Sequence, residues 1–399
     1  MKRLGLAVLI FFVLVLVWLL PDEHSNYPVA IENLISQVFR ETVTPEGLRA
    51  RYNAKTFTIL LVPGHDLEYS GAIYGNLREA DLNLVLAARI KVDLEQVGTW
   101  RVLSTRDLAT GKYQPEFATY FEQERAAISS FRSKLRKEFA SLVASGGITP
   151  PVQPVHHNFV SAEVSNRLYG INRWANDNQV DLTLHIHFND YPGRHGAGKY
   201  SGFSIYIPER QLPNSRASRE LAEVIQRELA GVMPVSNLPG ETGSPIEDQE
   251  LIAVGANGSR VSASFLVEYG YLAESQFQNI EVRSAVLDEL SHRTVRGLAE
   301  YFSTPRTLAA TTLLPHIWSA PLQTGIKGSK EVLALQTALH RDGFYPPVGK
   351  DLHTCPINGN FGPCVEASVT AFQIKNNLTP VDGAVAGATL AKLNTLYSQ

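Results

Sequence analysis

Between residues 56 and 104 the chain reads strand, helix, strand, and that order restricts the fold more than any other feature of the sequence. Residues 56–62 are an unbroken run of β-formers that ends in Pro63-Gly64 and delivers His65 to a strand tip facing solvent. From Glu79 onward the apolar positions Leu82, Leu86, Ile90 and Leu94 recur every four residues on one helical face, and Gly98 stops the helix. A second strand follows at residues 100–104, then Thr105-Arg106-Asp107. This order predicts a parallel α/β unit with a right-handed crossover. It also sets His65, at a strand end, near Glu79, at a helix start.

The alternation is interrupted and then resumes. In residues 108–160, Phe117, Phe121, Ile128, Phe131, Leu135, Phe139 and Leu142 mark an amphipathic helix or helical hairpin, either packed on the surface or laid over the site as a lid. Gly146-Gly147 through Pro154 form its proline-rich exit. A helix over residues 163–178, strands at 180–188 and 203–207, a helix at 215–229, a strand at 263–269 and a final helix at 280–302 complete the pattern. The fold class expected is α/β, a mostly parallel twisted sheet flanked by helices. Residues 304–326, with Pro305, Pro315 and Pro321 and few charges, read as a linker to a small all-α module at 327–399.

A chain of 399 residues has room for a sizeable core and an accessory module. With 44% hydrophobic and 19% charged residues it is globular, and a net charge of -3 without a basic block gives no nucleic-acid signal. Lys2 and Arg3 precede an apolar, uncharged run over residues 4–20, closed by Pro21-Asp22-Glu23. The run is longer than a usual cleaved signal core and reaches the short end of a membrane span. Bulky Val17, Trp18, Leu19 and Leu20 leave no small-x-small cleavage signal there, and the absence of a following Cys argues against a lipoprotein. Residues 1–21 therefore read as an N-terminal anchor helix in the inner membrane, with 22–55 a stalk and the remainder extracytoplasmic, secreted if the segment is cleaved.

The chemistry is expected where strands end. A catalytic zinc takes three protein ligands and leaves a fourth position for water. His65 and Glu79 supply two. The third is sought in Leu182-Thr183-Leu184-His185-Ile186-His187-Phe188-Asn189, where alternation puts His185 and His187 on the same face and cannot choose between them. His187, nearer the carboxyl end of its strand, is the better placed. Glu268, an acid in the apolar strand Phe265-Leu266-Val267-Glu268-Tyr269, is the candidate proton shuttle, because a carboxylate in such a strand is costly unless it is paired or functional. His156, His157 and His195 sit in loops and nothing in their spacing singles them out.

Val62-Pro63-Gly64-His65, Arg78-Glu79-Ala80 with Leu82 and Leu86, Thr105-Arg106-Asp107, His185-Ile186-His187-Phe188-Asn189 and Leu266-Val267-Glu268-Tyr269-Gly270-Tyr271 together resemble the ordered motifs of the zinc-dependent N-acetylmuramoyl-L-alanine amidases of the type 3 family, over most of residues 56–304. The resemblance implies Zn2+ on His65, Glu79 and His187, Glu268 as the catalytic acid and base, and hydrolysis by zinc-activated water of the amide between N-acetylmuramic acid and the L-alanine of the peptidoglycan stem. Three departures stand out. Asp66-Leu67 replaces the family's Gly-Gly after the first histidine, His185 replaces a serine, and 108–160 is an insertion in the amidase domain at 56–303. In some relatives a helix occludes the site until a partner removes it, so an activator protein joins peptidoglycan and the inner membrane among the expected partners.

Residues 327–399 carry Leu335-Gln336, Gly343-Phe344, Asn358-Gly359-Asn360-Phe361-Gly362-Pro363, Phe372-Gln373 and Val381-Asp382-Gly383. They resemble the three-helix peptidoglycan-binding domain type 1, with glycan contacts expected from loops near Asn360 and Asp382. Cys355 and Cys364 are expected to pair outside the cytoplasm, which stabilises a short loop by about 3 kcal/mol; a zinc site with His353 is the alternative. The function expected is that of a cell-wall hydrolase, and the alternative is a non-catalytic peptidoglycan-binding scaffold on a degenerate amidase fold.

Overall fold

The computed structural model describes residues 41–150, 160–191, 198–254, 258–306 and 308–399. In chain order these hold helix α1 (Pro45–Asn53), strand β1 (Thr58–Pro63), a hairpin of β2 (Ile73–Tyr74) and β3 (Leu77–Arg78), α2 (Glu79–Val97) and β4 (Arg101–Ser104). Then come α3 (Pro115–Gln123), α4 (Arg125–Ala144), α5 (Ala162–Asp177), β5 (Leu182–Asn189), β6 (Ser204–Pro208), α6 (Ser215–Leu229), β7 (Ile246–Asp248), β8 (Ala263–Tyr271) and α7 (Ile280–Phe302). The C-terminal module is α8 (Lys330–Arg341), α9 (Pro363–Lys375) and α10 (Gly387–Tyr397).

Six strands form one sheet in the order β4-β1-β5-β8-β6-β7. The pairs β4/β1, β1/β5, β5/β8 and β6/β7 are parallel, and only β6/β8 is antiparallel. The mostly parallel sheet expected from the strand-helix alternation is therefore present, with β6 and β7 reversed at one edge. Side-chain alternation along β1 divides the core. Ile59 and Leu61 join the apolar face of α2 and the helices α6 and α7, whereas Leu60 and Val62 join Phe117, Phe121, Ile128, Leu135, Tyr169, Ile171 and Trp174 on the opposite face.

That second cluster explains the 108–160 insertion. Its two helices pack with α5 into the layer covering one side of the sheet, burying Phe117, Phe121, Ile128, Leu135 and Leu142. Among the described residues no hydrogen bond or ion pair joins α3 or α4 to His65, Glu79 or His187. His156, His157 and His195, and the apolar run expected as an anchor, lie outside the described residues. Within the described residues no helix is long and apolar enough to cross a membrane.

The stretch at 304–326, in its described residues, is a connection fastened to the fold, not a free tether. Trp318 is 1% exposed, and its ring nitrogen donates to the Glu331 carbonyl at 2.9 Å. Its backbone exchanges hydrogen bonds with the Asn394 side chain, and Leu322 bridges to Val385. The module in turn packs on the larger unit. Val332, Leu333 and Leu335 continue the apolar cluster of α7, His353 Nδ1 lies 2.9 Å from Ser201 Oγ, and Asn358 Nδ2 donates to Ser275 Oγ at 2.8 Å. Ser201 and Ser275 stand in the segments before β6 and after β8, so the module grips segments flanking strands that reach the site.

Within the module two glutamines perform the same task. Gln336 Oε1 accepts from the backbone of Asn358 and Gly359, and Gln373 Oε1 accepts from Asp382 and Gly383. In the loops expected to meet glycan, Asn360 Oδ1 accepts from Gly328 and Asp382 Oδ1 from Gln373 and Ala384, bonds that fix the loop shapes. Cys355 and Cys364 form a disulfide with Cα atoms 5.9 Å apart, and His353 is engaged with Ser201 instead of a thiol. Trp318→Ala should lower stability by about 3–5 kcal/mol, measured by denaturant unfolding. A change below about 1 kcal/mol would refute the packed role of 304–326.

Candidate metal centre

β1 and β5 are neighbours whose chain connections leave in opposite directions, β1 toward β4 and β5 toward β6 and β8. A crevice opens beyond the carboxyl ends of strands at such a reversal. His65 follows β1 directly and His187 lies at the end of β5. Glu79 opens α2, where the positive end of the helix dipole favours an acid.

The three side chains meet. Glu79 Oε2 lies 3.1 Å from His65 Nε2, and Glu79 Oε1 lies 3.0 Å from His187 Nδ1. The imidazole rings stand 5.1 Å apart at 75°. One donor atom from each residue falls within 4.8 Å of the others, a group able to hold a metal ion. Glu79 is only 4% exposed. Burial alone would raise its carboxyl, but the bonds to His187 and His65 outweigh that and hold it well below the usual carboxylate range. Burial would lower His65, yet Glu79 raises it overall, whereas in His187 burial dominates and the ring is lowered.

Two glycines let the rings close. A Cβ on Gly64 would clash with the atoms of the His187 ring, and one on Gly71, whose φ is +71°, would meet Glu79 and His65. Gly64 also donates to Ile186 O at 2.8 Å, continuing the β1/β5 ladder past the strand end. His65 itself sits at φ +60°, a left-handed conformation uncommon outside glycine. Buried Arg106 braces it by donating to the His65 carbonyl and, at 3.2 Å, to Ala80 O in the first turn of α2. Asn83 adds a bond to Gly64 O at 3.0 Å.

Glu268 approaches from the next strand. On β8 it is the register partner of His187 on β5 and of Ser204 on β6. Burial pushes its carboxyl well above the usual range, and the charges of Glu79 and Glu241 push the same way. His185 shares the face of His187 but lies outside the donor group, and burial lowers it to about 3, leaving a neutral ring.

Several supporting residues carried no sequence signal of their role. Asp66, in place of the glycine that the family motif would have, accepts from the backbone of Glu68 and Tyr69 and from Arg167 Nη1 at 2.8 Å, tying the loop after His65 to α5. Glu241, 1% exposed, accepts from Asn189 Nδ2 at 3.0 Å, Tyr206 OH at 2.7 Å and Tyr271 OH at 2.9 Å. One carboxylate so joins β5, β6 and β8 near their site ends. An Asp followed by a hydrophobic residue after Pro-Gly-His was the only hint of the first; the second depends on a loop with no periodicity.

The family model for N-acetylmuramoyl-L-alanine amidase matches residues 59–300, and that for a peptidoglycan binding domain matches residues 328–393. Among solved structures, the CwlD amidase from Clostridioides difficile in complex with the GerS lipoprotein is 18% identical over 62% of this chain and 98% of that one, with a TM-score of 0.39. The Ami1 amidase from Mycobacterium smegmatis is 16% identical over 62% and 97%, with a TM-score of 0.38. The catalytic domain of CwlV from Bacillus (Paenibacillus) polymyxa var. colistinus is 15% identical over 62% and 98%, with a TM-score of 0.37. No curated protein matches the chain. Gly64→Ala should displace the His187 ring and destabilise the fold by about 1–3 kcal/mol, read by denaturant unfolding; an unchanged midpoint would contradict the close approach.

Proposed function

The chain belongs to the N-acetylmuramoyl-L-alanine amidase family, whose model spans more than half of it, and from that premise we propose that it hydrolyses the muramoyl–alanine amide with a zinc ion held by His65, Glu79 and His187. The observation that carries this reading is the convergence of two imidazole nitrogens and one carboxylate oxygen within 4.8 Å, beside a second acid, Glu268, on the adjoining strand. Two histidines and a carboxylate are a donor set of catalytic zinc, which leaves a position open to water.

Zinc held there supplies Lewis acidity, lowering the pKa of a water toward neutrality and polarising the scissile carbonyl. Glu268 takes the proton of the attacking water and returns it to the leaving amine of L-alanine, a task suited to a carboxyl whose surroundings raise its proton affinity. Glu79 and His187 keep fixed orientations because Ala72 N donates to Glu79 Oε2 at 2.9 Å and the backbone of Gly64 allows the ring its place. Arg106 and Asp66 hold the His65 loop in the conformation that the site needs.

Residues 56–303 form the catalytic unit in this reading and 327–399 the unit that keeps it on peptidoglycan. A peptidoglycan substrate and a peptidoglycan binding domain both imply an extracytoplasmic location. In this reading residues 1–21, outside the described residues, serve as an inner-membrane anchor, or as a secretion signal if they are cleaved. Tethering raises the effective concentration of wall without new catalytic contacts.

The experiment is release of stem peptides bearing a free L-alanine amino terminus from purified peptidoglycan. Glu268→Ala should lower the rate by about 10²–10⁴-fold, and a chelator should abolish release until zinc is restored. Wild-type release by Glu268→Ala would refute its role. Release that survives complete chelation would refute the metal.

A further inference from the structure

Three side-chain atoms behind Glu268 are buried without a hydrogen-bond partner among the described residues: Glu268 Oε2 on β8, His185 Nε2 on β5 and Ser204 Oγ on β6. The strands are adjacent in the sheet. Ser204 is the register partner of Glu268, and His185 lies two residues before its other partner, His187. Strand alternation puts all three side chains on one face. His185 is 1% exposed and Ser204 is fully buried, whereas Glu268 is only partly covered. One carboxyl oxygen is thus turned to the interior while the residue still borders the site.

An isolated buried polar atom costs about 1–3 kcal/mol, and native structures rarely leave three together. None of the three atoms bonds another, although Ser204 stands directly opposite Glu268 and His185 one step along the same face, an arrangement suited to a bridging water with two to four partners. We propose that His185 and Ser204 are positioning residues that hold the inner oxygen of Glu268 through a shared water, fixing the carboxyl group for proton transfer. The proton count closes. His185 donates from Nε2–H, Ser204 donates its hydroxyl hydrogen, and the water that accepts both donates one of its own hydrogens to Glu268 Oε2. His185 thereby gains a role in the place where the related sequence motif carries serine.

The inference rests on Glu268 being the proton carrier, and the test separates the two. His185→Ala, His185→Gln, Ser204→Ala and Ser204→Thr would be compared with Glu268→Ala for kcat, KM, zinc content and unfolding midpoint, on the full chain. His185→Ala and Ser204→Ala should lower kcat roughly 10–100-fold, with KM and zinc content unchanged. His185→Gln and Ser204→Thr, which keep a donor, should recover most of the rate. In the Glu268→Ala background the same substitutions should have no further effect on the residual rate. Wild-type kcat in both alanine variants, or losses that merely follow zinc content or the unfolding midpoint, would overturn the positioning role. If Glu268→Ala alone retains full activity, the proton-carrier reading falls instead. Should His185→Ala fail to fold, the Ser204 pair decides by the same criteria.

Discussion

The carboxylate of Glu79 is the group on which the site is built. A buried acid is costly unless its oxygens are matched, and here one oxygen faces His65 and the Ala72 backbone while the other faces His187. These partners come from the loop after β1, the hairpin before α2 and the end of β5. One side chain therefore ties together three separate stretches of chain, and the location of each is set by the need to satisfy it. The same feature gives the site a donor group able to hold a metal ion, since two imidazole nitrogens and a carboxylate oxygen converge on it.

Around that carboxylate the structure is specific where backbone must come close. Gly64 and Gly71 leave room for the rings, Arg106 fastens the strained His65 to α2, and Glu241 draws together the ends of β5, β6 and β8. The C-terminal module grips segments on either side of the same strands through His353 and Asn358. The module is thus fastened directly to segments next to β6 and β8.

Much of this was legible in the sequence, for identifiable reasons. The unit β1-α2-β4 follows from hydrophobic period, and the four-residue spacing of Leu82, Leu86, Ile90 and Leu94 corresponds to a face that is buried throughout. His65 and Glu79 were found because strand ends and helix starts carry punctuation. The choice between His185 and His187 could not come from alternation, since both share a face; distance to Glu79 makes the difference. Arg106 stood in the Thr105-Arg106-Asp107 motif with no role assigned to it, and Glu241 acts through long-range contacts that leave no local pattern. β7, three residues long, is set by pairing with β6 alone. The proline-rich 304–326 looked like a tether by composition, although Trp318, Leu314 and Leu322 in it are core residues.

The central claim is that a zinc ion binds between His65, Glu79 and His187. Anomalous diffraction at the zinc edge, from crystals of protein purified without chelator, tests it directly. The account predicts a single strong peak within about 2.0–2.2 Å of one atom from each of the three residues. A peak coordinated by other side chains, or no peak from protein that still releases stem peptides, would contradict it.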